Sequence, residues 1–353
     1  MHKQMLEAPS FSADRTRPSD AHETYFVAQT LRPFVRFFAA YPAARDIVAP
    51  LAQLEPDSRI PANDVRQLLL GATLATGPQY NLGLRVGRIT ERGETSAVDY
   101  VAASAATLAD SIAVTARNFR LVNEAVSLSV LRNGDYALVR FDSRIPWEKV
   151  TADYMLSSIF LNHVRGQIDD LSRIEVWFAY PAPMHRDEYG EVFAPAEVRF
   201  GAACYGFRIP VQELDRPLRG ADPHLHQLLR KHVAQLMVEL PSCTSFDGRV
   251  TQVLSELLAA SEPPTARQVA QQLGISTRTL ARRLEAEGTT FYEVLDRLRQ
   301  RLAIDYVRCT KLSQCEISAR LGFAHAAAFH RAFKRWTSTT PAMLRKLHEA
   351  RQA

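Results

Sequence analysis

The C-terminal third of the chain carries a pattern of hydrophobic positions that occurs twice. In the first copy these positions, with their central glycine, are Val269, Leu273, Gly274, Leu280 and Leu284. In the second copy, 48 or 49 residues later, they are Ile317, Leu321, Gly322, Phe329 and Phe333. A helical period on both sides of a glycine predicts two helices joined by a tight turn, which is a helix-turn-helix unit. We predict such units at residues 266–287 and 314–337.

Capping residues mark the helix ends of this region. Three capping boxes, in which a hydroxyl and an acid or amide satisfy the first N–H groups of a helix, are Thr265 with Gln268, Thr290 with Glu293 and Ser313 with Glu316. Ser276 is a cap for the second helix of the first unit. Glycines suited to a left-handed C-terminal position are Gly274, Gly288 and Gly322. Thr340-Pro341 predicts a final helix, and its inward residues are expected to be Met343, Leu344 and Leu347.

A connecting helix is predicted between the two units, from Phe291 to Arg308. Its apolar face is Phe291, Leu295, Leu298 and Leu302. Its residues, at ~1.5 Å each, span roughly 27 Å. This length is close to the ~34 Å between successive major-groove faces on one side of B-DNA. One chain could therefore place both units in adjacent grooves without dimerising.

The rest of the chain mixes helical and strand periods. Helices are predicted at 25–41 with an interruption near Pro33, at 61–76 with Pro61 first and a stop at Gly77-Pro78, and at 107–121, 147–171 and 223–240. Another helical period begins at Val250. These helices would pack with the strands described next.

Alternating apolar and polar residues predict the strands. One such run starts at Val126 and another at Tyr136, and Asn133-Gly134 lies between them. Asn-Gly is a strong hairpin signal because both turn positions need positive φ. A strand is also predicted at 174–180, and strands at 197–200 and 205–209 are predicted to pair across Gly201.

These elements predict a chain of two domains. We expect a flexible tail at residues 1–22, a regulatory α+β domain of helices and a mainly antiparallel sheet at 23–240, and a linker at 241–247. An all-α domain at 248–350 would contain the two helix-turn-helix units and their connecting helix.

Composition limits the class of protein. The chain has 353 residues, of which 46% are hydrophobic and 23% charged, as in ordinary soluble globular proteins. No window resembles a membrane span or a signal peptide. Four cysteines are too few and too scattered for a disulfide framework or a zinc finger. We therefore expect a reduced, cytoplasmic protein without membrane contact.

The positive charge is concentrated where the repeated unit lies. The net charge of the chain is +5. Residues 241–353 contain 17 Lys and Arg against 10 Asp and Glu, so the basic surplus belongs to this third. A basic surface that coincides with helix-turn-helix units indicates double-stranded DNA as the partner.

In a helix-turn-helix unit, the start of the second helix contacts base edges in the major groove. The base-contacting candidates of the first unit are Thr277, Arg278, Thr279 and Arg282. Those of the second unit are His325, Ala326, His330 and Arg331. Phosphate contacts are expected from Arg283, Lys334, Arg335, Arg345 and Lys346. An alternative for the same repeat is a helical module that contacts proteins.

No residues indicate catalysis, a metal or a cofactor. His224, His226 and His232 do not share a helix face, so a solvated surface explains them better than a metal site. Neither a nucleophile beside a paired base nor a phosphate-binding glycine loop is present. The sequence therefore predicts a protein that is not an enzyme.

The C-terminal region resembles the AraC/XylS family of bacterial transcription regulators. The resemblance rests on residues 268–284, 317–323, 329–336 and Thr340-Pro341. Three shorter segments, 59–61, 198–201 and 216–218, resemble the family members whose N-terminal domain is arabinose-regulator-like or ornithine-utilisation-regulator-like. The resemblance implies a transcription regulator, such as an activator, with a small-molecule effector and RNA polymerase as partners; a homodimer is a further expectation.

One departure from the family pattern separates the two units. Gly322-Phe323 is followed by Ala324-His325 and three alanines, where family members carry a hydroxyl or acidic cap. Loss of the cap costs of order 1 kcal/mol and removes hydrogen-bonding groups from the base-contacting face. We expect the first unit to provide most of the sequence specificity.

The function of the N-terminal domain has alternatives. A ligand-independent architectural or adaptor protein would carry the same DNA-binding domain. Some relatives join this domain to an alkyl-transfer repair enzyme with a zinc-bound cysteine cluster, but only Cys204 lies in the N-terminal domain. Aromatic residues such as Trp177 and Tyr180 are more typical of a core than of a pocket, so no effector-binding residue is assigned.

Overall fold

The computed structural model of this chain describes residues 24–76, 81–239, 246–259, 263–310 and 312–352. The chain divides into two compact units, Met1–Pro241 and Ser242–Ala353. The expected tail at 1–22, the expected helix stop at Gly77-Pro78 and residues 241–245 of the expected linker lie outside the described residues. Within the described residues, no helix is long and apolar enough to cross a membrane.

The first unit begins with a small helical layer. Its elements are β1 (Tyr25–Val27), α1 (Arg32–Phe38), α2 (Pro42–Ala52), β2 (Arg59–Pro61), α3 (Ala62–Ala75), α4 (Leu82–Ile89), α5 (Ala97–Ala103) and α6 (Leu108–Asn118). The helix predicted at 25–41 is wrong in its first part. Tyr25–Val27 pairs antiparallel with Arg59–Pro61, and α1 begins only at Arg32. Pro33 lies in the first turn of this helix and does not interrupt it, because the missing N–H of proline is not needed there.

A five-stranded sheet with its helices completes the first unit. The elements are β3 (Val126–Asn133), β4 (Tyr136–Ser143), α7 (Lys149–Ile159), β5 (Glu175–Trp177), α8 (Asp187–Phe193), β6 (Glu197–Arg199), β7 (Tyr205–Pro210), α9 (Val211–Leu214) and α10 (Pro223–Glu239). The strand order is β3-β4-β7-β5-β6, and only β5 and β6 are parallel. The α+β fold with a mainly antiparallel sheet is confirmed.

Two predicted details of the sheet are wrong. Strands β6 and β7 do not pair with each other across Gly201, because β5 lies between them and pairs with both. The hairpin is confirmed, but its turn is one residue later than predicted. Asn133 pairs with Tyr136, which leaves Gly134 and Asp135 as the turn, and only Gly134 has positive φ. This arrangement fits a turn with glycine at its first central position.

Helices α4 and α7 cross with their backbones in close contact. A methyl group added to Gly83 would overlap the carbonyl oxygen of Val150 and would lie 2.6 Å from Cβ of Asp153. One turn later, a methyl group on Gly87 would overlap the hydroxyl of Ser157. Glycine is required at both positions because no side chain fits between the helices.

A buried carboxylate fastens α7 to its surroundings. Asp153 is fully buried and accepts hydrogen bonds from Lys149 Nζ (2.6 Å) and from the hydroxyls of Tyr189 (2.9 Å) and Tyr180. Burial raises the pKa of Asp153 and outweighs the opposing attraction of Lys149. Lys149 also donates to Asn81 Oδ1 (2.8 Å), so the cluster joins α7 with α8 and the start of α4.

Among its described residues, the second compact unit contains helices and no strands. Its elements are α11 (Phe246–Ala259), α12 (Ala266–Gln272), α13 (Thr277–Ala286), α14 (Phe291–Cys309), α15 (Gln314–Arg320), α16 (Ala326–Thr337) and α17 (Pro341–Gln352). Its hydrophobic core includes Val250, Leu254, Leu280, Leu284 and Leu298. The predicted all-α fold with two helix-turn-helix units and a connecting helix is confirmed.

We predict that Gly83→Ala destabilises the first unit by about 1–3 kcal/mol, because α4 and α7 must separate to admit the methyl group. Calorimetric unfolding of the full chain measures this loss as a lower Tm. Gly190→Ala is the matched control, since Gly190 lies in α8 with nothing within 4 Å of the added methyl. Alanine should leave stability there unchanged or raise it by up to ~1 kcal/mol. Equal effects of the two substitutions would contradict the close crossing.

Candidate nucleic-acid interface

The two helix-turn-helix turns are built alike. In the first, Gly274 has a φ of 66°, its N–H donates to Gln271 O (3.1 Å), and Ile275 N–H donates to Ala270 O (2.9 Å). In the second, the equivalent bonds run from Gly322 to Ala319 (3.0 Å) and from Phe323 to Ser318 (3.0 Å). This pattern is the Schellman motif, which satisfies the last carbonyl groups of a helix. The predicted C-terminal glycines are confirmed, including Gly288.

The predicted helix starts are also confirmed. Both halves of the capping box are present at Thr265, Thr290 and Ser313. Ser276 Oγ accepts a hydrogen bond from Thr279 N–H (3.1 Å) and so caps α13. These bonds fix where each helix begins and, with it, the face that each helix presents.

Helix α13 buries one face and exposes the other. Leu280 and Leu284 are buried in the core, whereas Thr277, Arg278 and Arg282 are exposed. Thr279 is half-buried, and its hydroxyl lies 2.9 Å from Ser276 Oγ. The structure thus places the four base-contacting candidates of the first unit within the first two turns of α13. One of them, Thr279, also takes part in the cap.

Helix α16 presents a less polar face. Phe329 and Phe333 are fully buried, His325 and Arg331 are exposed, and Ala326 and His330 are half-buried. The first residue outside the helix is His325, and its side chain makes no capping hydrogen bond. The predicted loss of the cap in the second unit is therefore confirmed.

The five phosphate-contact candidates differ in their surroundings. Arg283 is exposed, with its guanidinium carbon 5.4 Å from the centre of the Phe246 ring, and Lys334 and Lys346 are exposed. Arg335 donates to both carboxylate oxygens of Asp296 (2.8 Å each). Arg345 is half-buried, and two of its nitrogens donate to backbone carbonyls, at 3.2 Å for Val307 and 2.8 Å for Leu312.

Arg335 and Arg345 are therefore engaged within the protein. A guanidinium that is already paired with a carboxylate or with carbonyls has fewer donors left for a phosphate. Lys334, Lys346 and Arg283 offer more accessible charge.

The final helix is oriented differently from the prediction. Met343 and Leu347 are both 54% exposed, so the expectation that they face inward is wrong. Arg345 and Leu344 lie on the partly buried side of α17 instead. Arginine fills this position because its stem packs and its fork reaches the carbonyls at the end of α14 and beyond.

The connecting helix α14 holds both helix-turn-helix units by polar contacts that the sequence pattern does not predict. Arg299 donates from Nε to Leu321 O (2.8 Å) and from Nη2 to Gly322 O (2.7 Å), and its guanidinium lies 4.5 Å from the Phe323 ring centre. Burial lowers the pKa of Arg299, against the opposing attraction of Asp296. The two partner carbonyls are at the turn of the second unit.

Neighbouring residues of α14 complete this attachment. Asp296 accepts from Trp336 Nε1 (2.8 Å) as well as from Arg335, which fixes α16. Arg297 donates to Asp247 Oδ2 (2.9 Å) and Thr289 Oγ1 (3.3 Å) on the side of the first helix-turn-helix unit. No sequence pattern could have revealed these contacts, because the partners are 8 to 50 residues apart and lie on different elements.

Arg299→Lys should destabilise the second helix-turn-helix unit by roughly 1.5–3 kcal/mol, because lysine cannot donate to both carbonyls with a planar fork. Hydrogen–deuterium exchange of the full chain measures this as at least tenfold faster exchange in α15 and the start of α16. Arg301→Lys serves as the control, since Arg301 is exposed on the same helix. Its effect should stay within about 0.5 kcal/mol. Unchanged exchange in the Arg299 variant would show that this contact does not hold the turn.

Comparisons with known proteins cover both units. Residues 39–218 match the family described as the arabinose-binding domain of AraC transcription regulator, N-terminal, and residues 269–347 match a helix-turn-helix domain family. The ornithine utilization regulator of Pseudomonas aeruginosa is 30% identical over 87% of this chain and 90% of its own length.

Two further proteins are similar over most of the chain. The HTH-type transcriptional regulator VirS of Mycobacterium tuberculosis is 27% identical over 80% of this chain and 83% of its own length. Among solved structures, that of the transcriptional regulator CdpR from Pseudomonas aeruginosa is 22% identical and covers 87% of this chain and 98% of that chain, with a TM-score of 0.40.

Proposed function

Because the chain belongs to the AraC family of DNA-binding transcription regulators, in the group with an arabinose-binding-like N-terminal domain, we propose that it controls promoters by sequence-specific binding under the influence of a small-molecule effector. The observation that carries this proposal is the capped start of α13, with Arg278 and Arg282 exposed beside a fully packed inner face. Such a regulator acts by binding and not by catalysis.

Base recognition belongs mainly to the first unit in this proposal. Arg278 and Arg282 have exposed guanidinium groups, which can grip guanine O6 and N7 with two hydrogen bonds. Thr277, at the start of the helix, can offer its hydroxyl or methyl group to a base edge. In the second unit, His325, Ala326, His330 and Arg331 offer fewer donors, so this unit docks and contributes less specificity.

Phosphate contacts position the protein without selecting sequence. We assign them chiefly to Lys334, Lys346 and Arg283, whose charges are accessible. Arg335 and Arg345 are assigned a supporting role, since their donors already hold Asp296 and two backbone carbonyls. The proposal also includes a cytoplasmic location, RNA polymerase as a partner, activation as the outcome and a homodimer as the bound form.

Substitution separates base contacts from phosphate contacts. We expect Arg282→Ala to lower the preference for DNA selected from a random pool over scrambled DNA by about 1–3 kcal/mol. Lys334→Ala should weaken binding to both DNAs equally and reduce the slope of log K against log salt by about 0.9. Fluorescence anisotropy of the full chain at several salt concentrations measures both effects.

The same assay assigns roles to the two units. Arg278→Ala and Arg282→Ala should reduce discrimination more than His325→Ala and His330→Ala do. The reverse order would transfer specificity to the second unit. A loss in the Arg282 variant that is equal on selected and scrambled DNA would contradict a base contact.

Effector control has its own test. A metabolite that binds the N-terminal unit should raise the Tm of the full chain, by the free energy RT ln(1 + [L]/Kd), and should change its DNA affinity. A panel of metabolites, with ornithine included because of the relative's name, is screened by both measurements. A ligand-independent adaptor predicts instead that no compound changes either quantity.

A further inference from the structure

The N-terminal unit contains a partly open cavity of about 130 Å³ that lies outside the candidate DNA interface. Three hydrophobic clusters of this unit meet at its walls. Phe141 and Phe207 come from the sheet cluster, Phe34 and Leu69 from the helical layer, and Val98 from the cluster of α5 and α6. A molecule that fills the cavity would contact all three clusters at once.

Two buried polar side chains line this cavity with unused hydrogen-bonding capacity. Ser111 is 6% exposed, and among the described residues its hydroxyl has no hydrogen-bond partner. Asn123 is 7% exposed, and its Oδ1 accepts from Ala125 N–H (2.7 Å), while its Nδ2 has no acceptor within the described parts of the chain. Neither Ser111 Oγ nor Asn123 Nδ2 is among the fully buried polar side-chain atoms that lack a partner, so both atoms are accessible from the cavity, where a ligand oxygen can accept their hydrogen bonds.

Three other hydroxyls in the wall behave differently. Thr115 Oγ1 donates to Ser111 O (2.8 Å), Thr90 Oγ1 to Val86 O (2.8 Å), and Ser158 Oγ to Met155 O (3.2 Å). These groups are satisfied by their own helices, as is usual for Ser and Thr. The free hydroxyl of Ser111 therefore differs from these three groups.

The charged groups around the cavity disfavour a charged ligand. Asp99 accepts from Thr95 Oγ1 (2.7 Å) and lies 3.5 Å from His163 Nε2. Glu91 is exposed and paired with Arg36 (3.4 Å). Neither lysine nor arginine is among the described residues that line the cavity. A buried anion would lack a counter-ion, and a buried cation would find both carboxylates already engaged.

We propose that this cavity is the effector site and takes a small uncharged molecule. The ligand class has an apolar body and an oxygen acceptor, such as a carbonyl, that receives a hydrogen bond from Ser111. Asn123 offers a second donor to the same cavity. Its size is about six to nine non-hydrogen atoms, because a cavity near 150 Å³ holds benzene. This inference rests on the proposed effector control and adds to it a site and a ligand chemistry.

Four probes of similar shape test the ligand class on the full-length protein. They are cyclohexanone, methylcyclohexane, cyclohexylamine and cyclohexanecarboxylate. Binding of each probe is measured by ligand-observed NMR titration and by the change in Tm. We expect cyclohexanone to bind most tightly and to raise Tm, methylcyclohexane to bind more weakly, and the two charged probes to leave both signals unchanged. Equal or tighter binding of a charged probe would overturn the ligand class.

Two hydroxyl-removing variants on α6 test the site. Ser111→Ala should weaken cyclohexanone binding about fivefold, the equivalent of one ordinary hydrogen bond, and should leave methylcyclohexane binding unchanged. Thr115→Val is the matched control, because its hydroxyl already bonds within the helix, and cyclohexanone affinity should stay within about twofold. Both variants keep the cavity walls, and their Tm values check folding. Unaltered cyclohexanone binding in the Ser111 variant would overturn the site.

DNA affinity distinguishes failure of the site from failure of effector control. Suppose that cyclohexanone binding depends on Ser111, but that no compound of the metabolite panel changes DNA affinity. This result would support the site and contradict effector control. A metabolite that changes DNA affinity equally in wild type and Ser111→Ala, in a protein that does not bind cyclohexanone, would overturn the site and support effector control.

Discussion

The helical C-terminal unit depends on one constraint, which is that the backbone N–H and C=O groups at its helix ends must find hydrogen-bond partners. The four helices of its two helix-turn-helix units are only 7 to 12 residues long, and each end leaves N–H or C=O groups without partners inside the helix. Capping boxes at Thr265 and Ser313 satisfy the starts, and a Schellman turn at Gly274 and Gly322 satisfies the ends. Arg299 adds donors to the carbonyls of the second turn. These bonds fix the two turns from which α13 and α16 start.

The same constraint explains why the duplicated fold is not a duplicated surface. Helix α13 begins after a serine cap and exposes arginines, whereas α16 begins after His325 without a side-chain cap. Buried Phe329 and Phe333, together with the contact between Asp296 and Trp336, hold α16 instead. Packing thus replaces capping in the second helix-turn-helix unit, which we propose contributes less to DNA-sequence specificity.

Close packing has a different consequence in the N-terminal unit. Gly83 and Gly87 allow α4 and α7 to touch, and Asp153 fixes α7 through a tyrosine and lysine cluster. The opposite side of α7 faces a cavity where packing is incomplete and two donors are free. A rigid helix beside an unfilled space suits a site whose occupancy changes the stability of its surroundings.

The sequence by itself determined the helix-turn-helix units, their caps and turns, the hairpin and the α+β class, because these features depend on residues within a few positions of each other. Tertiary structure alone decided that β5 separates β6 from β7, that Tyr25–Val27 is a strand, and that α17 exposes Met343. It also decided the contacts of Arg299 and the surroundings of Ser111. Each of these depends on groups far apart in the chain, whose meeting is set by packing and leaves no local pattern in the sequence.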